Sequence, residues 1–139
     1  DIRPFLTGAK SSASETTVTF PVVGDIAAGA PILAEQHADD LLELPRDFVG
    51  SGTVFALRVR GDSMVDAAIC DGDVVVVRRQ PEAHSGEIVA AMLDGEATVK
   101  VFRRRRDRIE LEPRNDAYPV LDGDDAVVLG KVVSVMRRI

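Results

Sequence analysis

The sequence has few of the features that mark secreted or membrane-embedded proteins. Its 139 residues include one cysteine, Cys70, which excludes a disulfide within the chain. No apolar run is long enough to cross a bilayer, and no segment resembles a secretory leader. We therefore expect a cytoplasmic protein without a membrane partner.

Basic residues are also in the minority. The chain has 23 Asp and Glu against 17 Lys and Arg, a formal net charge of −6, so the segment as a whole does not attract DNA phosphates. The exception is a run of four arginines, Arg103 to Arg106. Because Asp107 follows it and strand-like residues flank it, the run is more typical of a solvated hairpin tip than of a nucleic-acid patch.

Histidines and metal-ligand patterns are scarce too. The two histidines, His37 and His84, lie in polar, loop-like surroundings, so a histidine-based catalytic triad has no convincing candidate. No metal-ligand spacing and no phosphate-binding loop is present. We expect neither a metal nor a cofactor.

Length and composition predict one domain preceded by a tether. At 45% hydrophobic residues, the chain can bury a core without disulfides. Residues 1–16 hold few core-forming side chains, and Thr7 to Ser14 have linker composition. We interpret 1–16 as an interdomain linker remnant and 17–139 as the folded domain. The start at Asp1 rather than Met indicates a part of something longer.

Short runs rich in β-branched residues, each bounded by turn signals, dominate the domain. Helical periodicity is weak, and Asp39 to Leu44 and Met64 to Ile69 should form at most a helical turn or two. Asp94-Gly95 fits a two-residue hairpin turn. The predicted fold class is mainly β, a compact, antiparallel and partly closed arrangement with very little helix. The predicted strands are Thr17 to Val23, Val54 to Arg60, Asp73 to Arg78, Glu87 to Met92, Ala97 to Phe102, Arg108 to Glu112 and Ala126 to Met136.

Two segments carry the candidate chemistry. Gly61-Asp62-Ser63-Met64 offers a serine at a turn after a strand, and Ala97 to Phe102 embeds Lys100 between two valines. A serine hydroxyl needs a neighbouring base, and a lysine can be that base if burial lowers its pKa from ~10.4 to about 7. Ser63 is thus the candidate nucleophile and Lys100 the candidate general base. Taken alone, Gly61-Asp62-Ser63 is more typical of an ordinary turn, and Lys100 is more typical of an ordinary strand lysine that points outward.

The same turn suggests donors for a developing oxyanion. The backbone N–H groups of Ser63 and Met64 are the candidates, with the Met64 side chain packing inward. Upstream, residues 24–31 form a loop of small residues that an active site of this kind could cut. Ala28 and Gly29 have almost no side chain, so an extended backbone can enter a tight cleft there.

Together and in this order, the three segments resemble the LexA repressor family of self-cleaving proteins over nearly all of residues 17–139. The resemblance implies the C-terminal dimerisation and autoproteolysis domain of an SOS-response repressor. Ser63 would be the nucleophile, Lys100 the base, and Ala28-Gly29 the bond that is cut.

The resemblance also implies partners. These are a second copy of the chain in a homodimer, a RecA filament on single-stranded DNA that stimulates cleavage, and operator DNA bound only through a domain before Asp1. The last strand, Ala126 to Met136, is expected either to contribute to the dimer interface or to be buried in its own sheet.

Three alternatives remain. A UmuD-like accessory subunit of an error-prone polymerase shares the fold, the serine and lysine and the self-cleavage. A signal peptidase acting on other proteins would need a membrane anchor. In a non-catalytic binding module, Ser63 and Lys100 would be structural, and Ser63→Ala would leave its behaviour unchanged.

Overall fold

A computed structural model describes residues 16–23 and 38–139. The predicted cleavage loop 24–31, with Ala28 and Gly29, lies outside the described residues, as do His37 and residues 1–15 of the predicted linker. Within the described ranges, no helix is long and apolar enough to cross a membrane.

Nine strands form one sheet, which confirms the mainly β prediction. Its order is β2-β1-β3-β4-β9-β5-β6-β7-β8. Neighbouring strands pair antiparallel except β1 and β3, which run parallel with Val23 opposite Leu57. The strands are β1 Thr17–Val23, β2 Ala38–Pro45, β3 Val54–Arg58, β4 Val74–Arg79, β5 Ile88–Leu93, β6 Glu96–Arg105, β7 Arg108–Glu112, β8 Leu121–Asp122 and β9 Val127–Met136.

The sequence prediction was wrong about β2. A helical turn was expected over Asp39 to Leu44, but these residues pair with β1 over its whole length. Leu42 and Leu44 are half-buried and pack on a core cluster, whereas Leu41 and Glu43 are exposed. This alternation is the strand period, and tertiary pairing overrides the local helical preference.

Helix is confined to short pieces in the described residues. One turn of α-helix, α1, covers Arg46–Val49, and a 3-10 helix covers Val65–Ala67 inside the predicted Met64 to Ile69 turn. The strand β8 was also missed, because Leu121-Asp122 begins a stretch that reads as a turn and pairs over only two residues.

Alternate residues of the central strands pack in different clusters of the core. Phe55 and Leu57 of β3 belong to one cluster, and Val54 and Ala56 to a second. Strands buried on both faces need apolar residues at successive positions, which explains the run Val74 to Val77. A third cluster gathers around Phe102 and Leu111, where β6 and β7 pair.

Two predicted hairpin turns are confirmed. Asp94 and Gly95 join β5 to β6 with φ values of 52° and 85°, the positive values that a tight hairpin turn requires. The arginine run forms the end of β6 and the turn into β7. Arg103 and Arg105 form ion pairs with Glu112, so part of the run is neutralised across the hairpin.

Candidate active site

Ser63 lies in a loop that several contacts fix. After β3, the chain turns at Gly61, whose φ is 83°, a value that favours glycine. The Gly61 N–H donates to the Asp71 carboxylate at 2.6 Å. Met64, 1% exposed, anchors the other end of the loop in the first core cluster, as predicted.

Lys100 reaches Ser63 from β6. Its Nζ donates hydrogen bonds to Ser63 Oγ at 3.0 Å and to Thr98 Oγ1 at 2.6 Å. Thr98 and Lys100 share a face of the strand because side chains alternate with a period of two. The structure therefore brings the predicted serine and lysine into direct contact, across 37 residues of sequence.

Burial changes the acid-base properties of Lys100. The side chain is 8% exposed, and this desolvation lowers the pKa of Lys100 from its ordinary value of 10.5. The neutral amine is the form that can accept a proton from a hydroxyl. The direction of the shift is the one that a lysine base requires.

The predicted oxyanion donors remain available. Among the described residues, the N–H groups of Ser63 and Met64 donate no hydrogen bond. The carbonyls of Asp62 and Ser63, by contrast, accept from a second segment of the chain. Arg114 N–H donates to Ser63 O, and Asn115 Nδ2 donates to Asp62 O, both at 2.8 Å.

The pair lines a cleft of about 540 Å³. The loop after β3 forms one wall, the first half of β6 another, and Tyr118, Pro119 and Leu121 close a third side. Tyr118 donates to the Asp62 carboxylate at 2.5 Å, and this bond raises the pKa of Tyr118. An extended peptide has room to approach Ser63 in such a cleft.

No group of three or more potential metal ligands occurs among the described residues. The donors that surround Ser63 and Lys100 are hydroxyl, amine and backbone groups. His84 is exposed, in line with the sequence prediction that it is a surface residue.

The comparison with known families identifies the kind of domain that holds Ser63 and Lys100. A profile described as Peptidase S24-like matches residues 21–133. The chain belongs to the Peptidase S24-like family. Both Ser63 and Lys100 fall inside the matched range, so the contact between them lies in a domain of the serine peptidase type.

Relatives of this S24-like chain are LexA repressors, which confirms the resemblance read from the motifs. It is 74% identical to LexA repressor 1 of Nocardia farcinica over 100% of this chain and 65% of the relative. It is 60% identical to the LexA repressor of Thermobifida fusca over 92% of this chain and 51% of the relative. For that of Streptomyces coelicolor, the identity is 56% over 99% of this chain and 57% of the relative. The chain thus spans about half to two thirds of the length of these relatives.

Sequence reasoning missed three polar residues of this S24-like site: Thr98, Asn115 and Tyr118. The period-two rule would have found Thr98, two positions before Lys100. Asn115 and Tyr118 follow the end of β7 in a polar stretch, more than 50 residues after Asp62. No spacing rule links residues so far apart, and only the fold brings them together.

Proposed function

We propose that this chain is the self-cleaving and dimerising part of a LexA-type repressor, in which Ser63 and Lys100 cut the Ala28-Gly29 bond of the same molecule. The observation that supports it most is the 3.0 Å contact between Lys100 Nζ and Ser63 Oγ at a buried lysine. An unprotonated amine at this distance is a competent general base for the hydroxyl.

The reaction begins with proton transfer. Neutral Lys100 takes the proton of Ser63 Oγ, and the oxygen attacks the carbonyl carbon of Ala28. The π electron pair of that carbonyl moves to its oxygen, which the N–H groups of Ser63 and Met64 stabilise. When the tetrahedral intermediate collapses, the bond to Gly29 breaks, and the departing nitrogen takes the proton from the Lys100 ammonium.

Water completes the reaction. It attacks the ester on Ser63 while Lys100 accepts its proton, and the ester breaks with the return of that proton to Ser63 Oγ. The products are a carboxylate at Ala28 and an amine at Gly29, and the site is regenerated. Thr98 accepts one N–H of Lys100 throughout, which helps to turn the nitrogen lone pair toward Ser63.

The topology supports cleavage within one molecule. β1 runs parallel to β3, with Val23 opposite Leu57, so β1 ends in the same direction that β3 takes toward Ser63. Ala28 follows Val23 by five positions, which span at most roughly 17 Å when extended. Ser63 follows Leu57 by six positions. These short separations favour attack on the bond by the nucleophile of its own chain.

The cleft also offers backbone groups to an extended peptide. β7 pairs with β6 only from Val101 onward, so within the described residues one edge of Glu96 to Lys100 has no neighbouring strand. Addition of a peptide strand to such an edge is a common mode of recognition. The small side chains around Ala28-Gly29 would let that strand lie close to the sheet.

Cleavage would inactivate a repressor by dividing it. Two half-site readers held together by a dimerising domain bind an operator better than separate modules do. Cutting between the reader and this domain removes that advantage. RecA on single-stranded DNA would act by favouring the state in which the loop is docked on Ser63.

A dilution series tests the intramolecular reaction. We expect the first-order rate constant of cleavage to stay the same over a hundredfold range of protein concentration. A Ser63→Ala chain carrying a distinguishing mass label should remain uncut when mixed with the active chain. A rate constant proportional to concentration, or cutting of the labelled variant, would show an intermolecular peptidase instead.

The repressor part needs a separate experiment. We expect RecA with single-stranded DNA to accelerate cleavage of the full-length protein, and RecA without DNA to leave the rate unchanged. Operator affinity should fall as the cut fraction rises. Loss of affinity in a Ser63→Ala full-length protein under the same treatment would contradict the account.

A further inference from the structure

Two peptide units supply the candidate oxyanion donors through their N–H groups. In both units the carbonyl, on the other side of the peptide, accepts a hydrogen bond. The Asp62-Ser63 unit carries the Asp62 carbonyl and the Ser63 N–H, and the Ser63-Met64 unit carries the Ser63 carbonyl and the Met64 N–H. Both units are trans. In a planar trans peptide the C=O and N–H groups point in opposite directions, so fixing one group aims the other.

Two adjacent residues of one segment, Arg114 and Asn115, hold the two carbonyls. The Arg114 N–H donates to Ser63 O, and Asn115 Nδ2 donates to Asp62 O, each at 2.8 Å. The Asp66 N–H returns a hydrogen bond to Arg114 O at 2.8 Å, which ties the segment to the far side of the nucleophile loop.

The side chain of Asn115 is itself oriented. Its Oδ1 accepts from the Ala117 N–H at 2.9 Å, which leaves Nδ2 as the group that faces Asp62. Tyr118 secures the Asp62 side chain at 2.5 Å. Asn115 is thus preorganised as a donor to one carbonyl rather than as a general surface amide.

We propose that Asn115 is a positioning residue for the oxyanion site, acting through the Asp62-Ser63 peptide, while the Arg114 backbone acts in the same way on the Ser63-Met64 peptide. A hydrogen bond to the carbonyl also polarises the amide, which makes its N–H a stronger donor. Asn115 is not among the residues that line the cleft, and its described hydrogen bonds go to Asp62 O and the Ala117 N–H rather than to Ser63 Oγ. This inference rests on the proposed function and adds to it a residue outside the serine and lysine segments.

Asn115 should act on the oxyanion site without affecting the Lys100 base. Around the cleft, the charged or titratable side chains besides Lys100 are Arg58, Arg60, Asp62, Glu96 and Tyr118. Asn115 carries no charge and does not contact Lys100 Nζ, whose described partners are Ser63 and Thr98. Its loss should weaken oxyanion stabilisation and leave the titration of the base unchanged.

The test is a pH–rate profile of self-cleavage for Asn115→Ala. We expect the maximal rate to fall about 10- to 100-fold, since removal of one donor from an oxyanion site costs about 10²–10³ and Val65 N–H still holds Asp62 O through a bond of 3.4 Å. The midpoint of the profile should not move. Asp116→Ala changes the adjacent exposed residue and should keep the wild-type rate.

Asn115→Asp is the second variant, in case Asn115→Ala fails to fold. It keeps an oxygen for the Ala117 N–H but replaces the donor to Asp62 O by a carboxylate oxygen, which cannot donate and repels that carbonyl, so the maximal rate should again fall at least tenfold. A maximal rate within twofold of the wild type in a folded variant would overturn the proposal. So would a shifted midpoint in Asn115→Ala at an unchanged maximal rate.

A further readout does not depend on cleavage. In a Lys100→Ala background, which should keep the chain intact, Asn115→Ala should shift the amide NMR resonance of Ser63, whereas Asp116→Ala should not. An unchanged Ser63 amide would contradict the proposal even if the protein proved inactive. Failure of the wild type to cleave would contradict the proposed function alone.

Discussion

Lys100 combines an ionisable amine with near-complete burial, and this sets how its charge affects stability. The pKa of Lys100 is lowered in the folded state and is ~10.4 in an unfolded chain. Between these two values the unfolded chain binds more protons, so stability rises with pH in that window. Below it, the folded protein bears the full cost of a buried ammonium group.

Replacing Lys100 by methionine should therefore stabilise the protein at pH 7. Methionine fills similar space without the charge, and we expect a gain of roughly 1–3 kcal/mol, because the buried Lys100 ammonium has two hydroxyl partners but no carboxylate partner among the described residues. The gain should shrink as the pH approaches 10. Urea unfolding at both pH values measures it. Lys131→Met, which removes an ion pair with Glu87, is the control and should not stabilise; destabilisation by Lys100→Met at pH 7 would contradict the account.

Thr98 is the second residue whose role can be isolated. Thr98→Val keeps the shape of the side chain and removes the oxygen that accepts from Lys100 Nζ at 2.6 Å. Because that oxygen favours the ammonium form, its loss should move the midpoint of the pH–rate profile to lower pH. The less well oriented amine should also cut the maximal rate about tenfold or more. A midpoint shifted to higher pH would show that Thr98 does something else.

At the level of elements, β9 depends on a close approach of two backbones. It pairs with β4 on one edge and β5 on the other, and a Cβ at Gly130 would lie 2.1 Å from the Arg78 carbonyl oxygen. This contact cannot be relieved by turning a side chain. The sequence reading took Gly130 simply as part of a valine-rich strand.

Gly130→Ala should destabilise the fold by roughly 2–3 kcal/mol, in the range of overpacked sites. Gly72→Ala is the matched control: it has a φ of +90° but nothing within 4 Å of the added Cβ, so its cost should be about 1 kcal/mol. Urea unfolding of both variants compares steric overlap with backbone strain. Equal costs would argue against the close approach at β9.

The sequence predicted the elements that alternate clearly and missed those defined by pairing. β1 and β7 match their predicted bounds, and the Asp94-Gly95 turn was found from residue type alone. β2 was missed because its alternation of exposed and half-buried residues is recognisable only once it pairs with β1. The parallel contact of Val23 with Leu57 leaves no pattern in the neighbouring sequence. Ser63 and Lys100 were singled out because their segments resemble known ones; the structure shows them in contact, and their catalytic roles stay a prediction. Asn115 belongs to no segment singled out from the sequence.

On the scale of the whole molecule, β9 was expected either to contribute to the interface of a homodimer or to be buried in its own sheet. β4 pairs with residues 130–136 of β9 and β5 with residues 127–131, so within the described ranges the edge of 132–136 that faces away from β4 has no neighbouring strand, and both its backbone and its side chains can contribute to a dimer. Val127 and Val135 are 61% and 41% exposed. Exposed apolar residues on a central strand are consistent with a contact surface, and the homodimer remains a prediction.

Val135→Asp should weaken such a dimer by at least tenfold, because a charge would be desolvated in the contact. Sedimentation velocity over a range of concentrations measures the change. Leu41→Asp introduces the same charge at a residue that is 63% exposed on the edge strand β2 and serves as the control. Equal effects of the two changes would remove β9 from the interface.

The most direct test of the central claim is mass spectrometry of the purified chain after incubation at pH 7 and pH 10, beside a Ser63→Ala control. Because the Lys100 base must be neutral, the account predicts fragments 1–28 and 29–139, formed faster at pH 10 and absent from the control. A folded wild-type chain that stays intact at both pH values, or a control that is cut equally fast, would contradict it.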